Sequence, residues 1–456
     1  MTAPHNYDLT GTLLGTEVPL NSPVITWKDG HTTILPAVYD EKKNNLCEAV
    51  DIPIIRYLAK CPESTPHSQY VTHLSNADIP PNMMEDVVSS ALSLNKPVVI
   101  RGIGQHAVEE ELTADFLDKH YAISPHRAVW IHDAKSRAID HTKVTTAGVL
   151  KSFCESMKDP EKIQCVLDIP LAQTSLQDQL RNLDHGLAHG WNHTTYDVQI
   201  TSNVHPENFT VKGWGLLHHA GFLTYPHHDA EGSLTWVRME VGMKFWVVFR
   251  PIDRHDDRKH LQDMAIKLGD FTENEVWIRA NCRAEVITIM PGDTLIIPPG
   301  QLHAVYTPVA SFATGGHFYH YGCMHLTEIS RYLDVVVGDC LTNQALHNAL
   351  ETLRRMMIGI PRLSPRISLY KRPLLALCIM VLQGKQYRAK GGHKSAVADT
   401  ETAALSKEIS AAIASHLGVT KRKSASMLLY KGDQFERGAL VVREELDKAL
   451  IRFTEL

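Results

Sequence analysis

The feature that most constrains the fold of this chain is a series of short segments, rich in β-branched and aromatic residues, between positions 213 and 321. Each segment is bounded by proline or glycine, so the chain turns after only a few residues. Many short strands separated by such turns are typical of a β-sandwich or a jelly-roll barrel. The segments that we predict as strands are 234–240, 244–249, 285–289, 294–297 and 304–307.

The hydrophobic pattern differs on the two sides of this strand-rich region. The first 80 or so residues have weak periodicity, and we predict that they pack as an extension on a later domain. After about residue 325 the apolar residues recur at the spacing of amphipathic helices. Helices are predicted at 81–94, 146–157, 346–357, 405–417 and 439–453.

The predicted fold class is therefore α+β, with a β core between two different flanking regions. A chain of 456 residues is long enough for two or three domain-sized units. We predict an N-terminal extension at 1–95, a central β domain at 96–325 and a C-terminal helical region at 326–456.

The composition excludes several other classes of protein. With 44% hydrophobic and 21% charged residues, the chain is neither disordered, collagenous nor a coiled coil. A net charge of -5 gives no support to nucleic acid as a partner. The longest apolar run, 374–382, is too short to cross a bilayer, and the first residues do not resemble a signal peptide. We expect a soluble, intracellular protein without a membrane partner, and the oligomeric state stays open.

The cysteines do not form a recognisable metal or disulfide pattern. Zinc fingers need closely spaced ligand pairs, and disulfide scaffolds need many cysteines in a short chain. Neither condition is met, so we expect reduced thiols in the core. The eight cysteines are Cys47, Cys61, Cys154, Cys165, Cys282, Cys323, Cys340 and Cys378.

The strongest local signal for chemistry is the run Thr-Tyr-Pro-His-His-Asp that ends at Asp229. Residues two apart in an extended segment point to the same side, so His227 and Asp229 can face one point while His228 points away. His303 follows a Pro-Pro-Gly bend and begins a later strand, which can return it to this pair. Two imidazoles and one carboxylate are the ligand set of non-haem Fe(II) oxygenases.

The same residues also have a simpler interpretation. The chain contains 26 histidines, so a histidine two positions before an aspartate can arise by chance and lie at the surface. The adjacent His218 and His219 are interpreted as a half-buried strand pair.

Residues from about 97 to 321 resemble a JmjC domain, and most closely that of the F-box- and PHD-associated lysine demethylases. The resemblance rests on the run 221–229, on Trp236, Gly242 and Lys244, and on the runs 299–308 and 315–320. It implies a double-stranded β-helix, which is a jelly-roll, cupin-like fold. It also implies that His227, Asp229 and His303 hold Fe(II).

The resemblance further implies a binding site for 2-oxoglutarate. Lys244 matches the family's lysine for the distal carboxylate of this co-substrate, and Thr224 matches its hydroxyl partner. A lysine with a hydroxyl is a sensible charge-assisted anchor for a carboxylate. Without the resemblance, Lys244 would be interpreted as a strand-end lysine that reaches solvent by its aliphatic stem.

Three positions depart from the family pattern. The aspartate is followed by Ala-Glu-Gly instead of an aromatic residue and two glycines. Val237 stands where an aromatic residue usually helps to hold the co-substrate. His317 stands where an amide usually lies beside the substrate, which puts a larger, titratable ring there. We therefore treat His317 as substrate-proximal, and the identity of the substrate transfers less readily than the metal site.

The function that the resemblance implies is an Fe(II)- and 2-oxoglutarate-dependent oxygenase that demethylates N-methyl-lysine in histones. Its partner would be a methylated histone tail or another protein substrate, and its location would be nuclear. Three alternatives stay open. They are a protein hydroxylase of the same fold, a non-catalytic JmjC chromatin scaffold, and a metal-binding cupin with hydrolase or isomerase chemistry.

Overall fold

The computed structural model describes residues 23–102, 111–171, 176–194, 213–252, 257–338, 349–387 and 400–454. These residues form an α+β fold with β-strands at its centre, as the sequence predicts. The strands are β1 Val24–Thr26, β2 Thr32–Ile34, β3 Thr72–Ser75, β4 Val98–Arg101, β5 Ala128–Asp133, β6 Thr145–Val149, β7 Gln164–Pro170, β8 Trp214–His218, β9 Phe222–His227, β10 Leu234–Val241, β11 Lys244–Pro251, β12 Cys282–Ile289, β13 Thr294–Ile297, β14 His303–Thr307 and β15 Ser311–Phe318.

Helices lie before, between and after these strands. The helices are α1 Asp51–Leu58, α2 Pro81–Ser93, α3 Ala114–Tyr121, α4 Ala134–Ile139, α5 Leu150–Ser156, α6 Asn192–Thr194, α7 Arg258–Gly269, α8 Phe271–Asn281, α9 Met324–Val337, α10 Ala349–Gly359, α11 Lys371–Leu382, α12 Thr400–His416, α13 Arg422–Tyr430 and α14 Arg443–Leu450. In the part of the chain that the structure describes, no helix is both long and apolar enough to cross a membrane.

The described strands form two main sheets. The larger one has nine strands in the order β3-β4-β13-β10-β15-β8-β7-β5-β6, and the smaller one has four in the order β12-β11-β14-β9. Neighbouring strands in both sheets are antiparallel, except for the parallel pair β3 and β4 at one edge. From β12 to β15 each successive strand joins the other sheet, so the chain repeatedly crosses between them.

A buried cluster fills the space between the two sheets. Side chains alternate between the two faces of a strand, and alternate residues therefore share the interior. Trp214, Val237 and Met239 enter this cluster from the larger sheet, while Trp246 and Val305 enter it from the smaller sheet. The two sheets thus form a β-sandwich, and the face inside it carries the candidate site.

The five predicted strands of the central region are confirmed as β10 to β14. The predicted helix at 146–157 is wrong in its first half. Residues Thr145–Val149 form strand β6, which pairs antiparallel with β5, and the helix begins only at Leu150. Two threonines and a valine favour an extended edge strand, and β5 pairs with the backbone groups on one side of it.

The helices of the C-terminal region pack around their own buried apolar cluster. The helix predicted at 439–453 begins later, at Arg443, because residues before it are extended along the segment that precedes α11. There Lys371 N–H donates to the Ala439 carbonyl, and Val441 N–H donates to the Leu369 carbonyl. The start of the helix predicted at 346–357 lies outside the described residues, which show helix from 349 onward.

The described cysteines are buried and unpaired, as expected of core thiols. Burial raises the pKa of several of these thiols, with that of Cys165 raised to about 12. Cys340 lies outside the described residues.

Candidate metal centre

Three side chains converge at one end of the smaller sheet. His227 ends β9 and lies directly opposite His303, which begins β14, so the pairing of the two strands brings the rings together. Asp229 follows His227 by two residues. One nitrogen or carboxylate oxygen from each of the three side chains lies within 4.8 Å of the others. The sequence analysis predicts these three residues as metal ligands, and the fold brings their side chains together.

Backbone carbonyls fix the orientation of both imidazole rings. His227 Nδ1 lies 2.8 Å from the Tyr225 carbonyl oxygen, and His303 Nδ1 lies 2.9 Å from the Gln301 carbonyl oxygen. A carbonyl oxygen only accepts, so each Nδ1 carries the hydrogen and each Nε2 keeps its lone pair. This is the tautomer that a metal-binding histidine needs, with its other nitrogen held in place.

Burial and mutual charge set the protonation of the three groups. Burial lowers the pKa of His227 to about 4, and it also lowers the pKa of His303. Burial by itself raises the pKa of Asp229, but the neighbouring imidazoles and a hydrogen bond from Thr235 bring it down to about 2. At neutral pH the cluster therefore offers two neutral imidazoles and one carboxylate, which is the form that binds a metal.

Thr235 and His317 form a chain of hydrogen bonds that ends at Asp229. The Thr235 hydroxyl on β10 hydrogen-bonds the Asp229 carboxylate. His317 lies directly opposite Thr235 on β15, and its Nδ1 is 2.9 Å from the same hydroxyl oxygen. Because a carboxylate only accepts, Thr235 donates to Asp229 and accepts from His317. The His317 ring is buried and packs on Trp214, with 5.6 Å between ring centroids.

His228 faces the opposite direction, towards helix α9. Its Nε2 donates a 2.7 Å hydrogen bond to Asp334, and the Ser330 hydroxyl lies 3.4 Å from its Nδ1. Both ring nitrogens are therefore engaged away from the candidate metal position. This arrangement agrees with the alternation of side chains along the extended segment.

Lys244 is buried at the far end of the same interior, with 1% of its surface exposed. Its Nζ donates a 2.7 Å hydrogen bond to the Thr307 hydroxyl on the neighbouring strand β14. Burial lowers the pKa of Lys244 to about 7. The lysine therefore does not reach solvent, and Thr307 is a polar partner that sequence reasoning missed.

Thr224 lies on β9 opposite Val305, which is one of the interior residues of β14. Its side chain is half-buried. Thr224 therefore lies in the same sheet as Lys244 and Thr307, but among the described residues no hydrogen bond links it to Lys244.

Asp168 is another residue at the site that the sequence analysis did not predict. It lies where the pairing of β7 with β8 shifts register, and its backbone is left-handed, with φ of 55°. A bulge of this kind turns a side chain in a new direction and is common beside active sites. Asp168 is exposed, and partial desolvation together with the charge of Asp229 raises the pKa of its carboxyl.

The donor set fits a divalent first-row metal. Two imidazole nitrogens and one carboxylate on one side leave the remaining coordination positions to exogenous ligands. The buried amino group of Lys244 lies at the other end of the same interior, where it can bind an anion. The fold and the site together define a β-sandwich protein with a candidate centre of two histidines and one carboxylate.

The sequence is similar to several curated proteins that are named as histone demethylases. The chain is 26% identical over 207 residues to the JmjC domain-containing histone demethylation protein 1 of Caenorhabditis elegans, across 41% of this chain and 19% of that protein. It is 24% identical over 303 residues to the protein of the same name from Emericella nidulans, across 62% of this chain and 20% of that protein. It is 27% identical over 191 residues to lysine-specific demethylase 2A of Xenopus tropicalis.

These matches confirm that the chain is related to the JmjC demethylase family, as the sequence motifs indicate. The chain spans a fifth or less of the length of these three relatives. No family model matches the sequence.

Proposed function

We propose that this chain is an Fe(II)- and 2-oxoglutarate-dependent oxygenase that demethylates N-methyl-lysine in histones. The observation that carries the proposal is the convergence of His227, Asp229 and His303, with both Nε2 lone pairs free, in the same interior that buries Lys244. The names of the relatives, which describe histone demethylation proteins and a lysine-specific demethylase, support the class of substrate.

We also propose that the two sheets are the double-stranded β-helix of the cupin-like folds. The repeated crossing of the chain between the sheets from β12 to β15 supports this assignment. In the same proposal residues 1–95 are an N-terminal extension, 96–325 are the JmjC domain and 326–456 are a C-terminal helical region.

When bound, Fe(II) with 2-oxoglutarate and O₂ supplies the oxidising power that inserts oxygen into a substrate C–H bond, and succinate and CO₂ leave. The chain's own residues hold and orient the reactants. His227, Asp229 and His303 would be the iron ligands, and the Tyr225 and Gln301 carbonyls would keep the two rings aimed. Lys244 and Thr224 would bind the distal carboxylate of 2-oxoglutarate.

The product of hydroxylation depends on the carbon that the site presents. Hydroxylation of an N-methyl group gives an N-hydroxymethyl amine, which releases formaldehyde and leaves lysine with one methyl group fewer. Negative charge at the site suits a methylammonium group. Asp168, whose pKa is affected by the charge of Asp229, contributes such a charge, and the chain as a whole carries -5. Action on histones implies a nuclear location and a role as a chromatin regulator.

Stable hydroxylation of a protein side chain is the second candidate function. It is favoured by His317, whose buried ring occupies the position where the family usually has an amide beside the substrate. A larger group there narrows the space for a methylated ammonium. The non-catalytic scaffold differs from both candidates because it would not turn over 2-oxoglutarate.

The decisive experiment incubates the full chain with Fe(II) and 2-oxoglutarate on an array of methylated histone peptides. Loss of a methyl group with release of formaldehyde supports demethylation, and gain of one oxygen atom supports a hydroxylase. Succinate must form in either case. The matched control is Asp229→Ala, which removes one proposed ligand and should abolish succinate formation. No succinate from the unmodified chain would overturn the oxygenase proposal and favour the scaffold.

A further inference from the structure

Two buried polar side chains that no prediction used lie opposite each other in the larger sheet. His218 ends β8 and pairs directly with Ser311, which begins β15. Their exposed fractions are 2% and 0%. In the part of the chain that the structure describes, neither His218 Nδ1 nor the Ser311 hydroxyl has a hydrogen-bond partner. Buried polar groups are rarely left without a partner, so such a pair needs an explanation.

Both side chains face the interior of the sandwich. Along β8, His218 shares a side with Trp214, which belongs to the cluster between the sheets. Along β15, Ser311 shares a side with Ala313, which belongs to the same cluster. His218 and its neighbour His219 are both buried, which corrects the expectation of a half-buried pair.

Ser311 lies against Gly242, which precedes Lys244 by two residues, so the His218 and Ser311 pair is on the side of the interior where Lys244 begins β11. Burial lowers the pKa of His218 well below its ordinary value, and the charge of Lys244 lowers it further. Cys165 pairs with His218 on β7; burial raises the pKa of its thiol, and the charge of Lys244 lowers this pKa in part. The larger sheet therefore presents unpartnered donors to the buried cation of the smaller sheet.

We propose that His218 and Ser311 are further binding residues for the distal carboxylate of the dicarboxylate co-substrate. The inference rests on the proposed function. A carboxylate has about four lone-pair sites. Lys244 and Thr224 account for two of them, and the His218 N–H and the Ser311 O–H account for the other two. The neutral imidazole donates from Nδ1, and bound carboxylate then satisfies both side chains.

This arrangement makes the distal carboxylate a strict requirement. A 2-oxo acid that ends in a methyl group would leave several buried donors without an acceptor, and a site built to hydrogen-bond a group discriminates strongly against its absence. His218 and Ser311 therefore contribute to selection of a five-carbon diacid over a monoacid of the same length.

The test measures co-substrate binding rather than turnover. The full chain is loaded with Mn(II), and calorimetry measures the Kd of 2-oxoglutarate and that of 2-oxopentanoate, which has a methyl group in place of the distal carboxylate. His218→Leu should weaken 2-oxoglutarate binding by about tenfold or more, the loss typical of a hydrogen bond to a charged group. It should leave 2-oxopentanoate and Mn(II) binding unchanged.

Two further variants separate the hydrogen bond from packing. His218→Asn places an amide nitrogen near the position of Nδ1 and should restore most of the affinity. Ser311→Ala is a smaller change that should weaken 2-oxoglutarate binding selectively, and it serves as the test if His218→Leu does not fold. His219→Leu is the matched control, because the His219 Nδ1 already bonds the Lys162 carbonyl at 2.8 Å. It should leave the ratio of the two affinities unchanged.

The possible failures are distinguishable. Unchanged 2-oxoglutarate affinity in both His218→Leu and Ser311→Ala would overturn this inference while the proposed function stands. An equal loss for both 2-oxo acids would also overturn it, because the effect would then not involve the distal carboxylate. If the unmodified chain binds neither acid, the proposed function fails together with the inference.

Discussion

Lys244 donates a 2.7 Å hydrogen bond to Thr307 inside the sandwich. The two residues lie on neighbouring strands of the smaller sheet, and His303 lies on the Thr307 strand four residues earlier. At a rise of about 3.3 Å per residue, the strand separates His303 from Thr307 by about 13 Å between Cα atoms. One sheet thus carries a candidate metal ligand at one end of its interior face and a buried cation at the other.

Replacing Lys244 by methionine tests the role of this cation. Removal of one partner from a buried charge pair typically costs about 3–5 kcal/mol, so Lys244→Met should weaken 2-oxoglutarate binding by at least two orders of magnitude. Metal binding should be unchanged, because the lysine does not belong to the His-Asp-His cluster. Calorimetric titrations with metal and then with co-substrate check both statements. A normal 2-oxoglutarate titration would show that Lys244 does not face the co-substrate.

The same residue predicts how stability depends on pH in the absence of co-substrate. Burial lowers the pKa of Lys244 from 10.5 to about 7 in the folded chain. Between these two values the unfolded chain binds more protons than the folded chain, so stability should rise as the pH increases above 7. The contribution is at most about 1.4 kcal/mol per pH unit. Urea unfolding at pH 7 and pH 9 should show a steeper rise for the unmodified chain than for Lys244→Met.

The candidate ligands are distinguished from their neighbour by three single substitutions. His227→Ala and Asp229→Ala should abolish metal binding, since each removes one of three converging groups. His228→Ala should retain it, because that ring bonds Asp334 and Ser330 on helix α9 instead. It should lower the free energy of unfolding, since Asp334 loses its buried partner. Metal titration of all three variants decides the assignment, which equal losses would contradict.

The strands at the site are predictable from sequence, whereas their partners are not. Segments such as Lys244–Pro251 are rich in β-branched and aromatic residues, and this local pattern identifies a strand. Which strand lies beside it depends on contacts between distant parts of the chain. Thr307 opposite Lys244, and Ser311 opposite His218, are therefore visible only in the structure.

Dependence on distant strand partners also explains why the helix predicted at 146–157 is wrong in its first half. Residues Thr145–Val149 and the helix that follows form one continuous segment of mixed polarity, so periodicity alone does not show where the strand ends. The antiparallel pairing with β5 determines where the strand ends. By contrast, the spacing of His227 and Asp229 is local and can be read from the sequence. Only the position of His303 beside them depends on the fold.

Thr235 is predicted to tune the metal site through Asp229. Thr235→Val keeps the shape of the side chain but removes the hydroxyl that donates to Asp229 and accepts from His317. Loss of a group that orients a metal ligand typically reduces metal affinity by about 10–100-fold. Thr235→Ser restores the hydroxyl and should recover most of the affinity. Competition with a metal chelator measures the series, and equal affinities for the valine and serine variants would contradict this role.

The last prediction concerns acid stability and a pair of stacked histidines outside the candidate site. The rings of His185 and His320 stack with 4.1 Å between centroids, and both are buried. Each uses Nδ1 to accept a backbone hydrogen bond, from Tyr321 N–H and Gly322 N–H respectively. Protonation of either Nδ1 would break its bond, so the folded state requires both rings to be neutral.

Burial lowers the pKa of His320 to about 3 and that of His185 well below 6.5. Below pH 6.5 the unfolded chain therefore takes up protons that the folded chain does not, and stability should fall as the pH decreases from 7 to 5. His320→Asn keeps an acceptor for Gly322 N–H but does not titrate, so this variant should lose less stability over that interval, by up to about 1.4 kcal/mol per pH unit. His67→Asn, at an exposed position, is the matched control and should behave like the unmodified chain. Urea unfolding at pH 7, 6 and 5 measures the three slopes, and an identical slope for His320→Asn and the unmodified chain would show that the stacked pair does not limit acid stability.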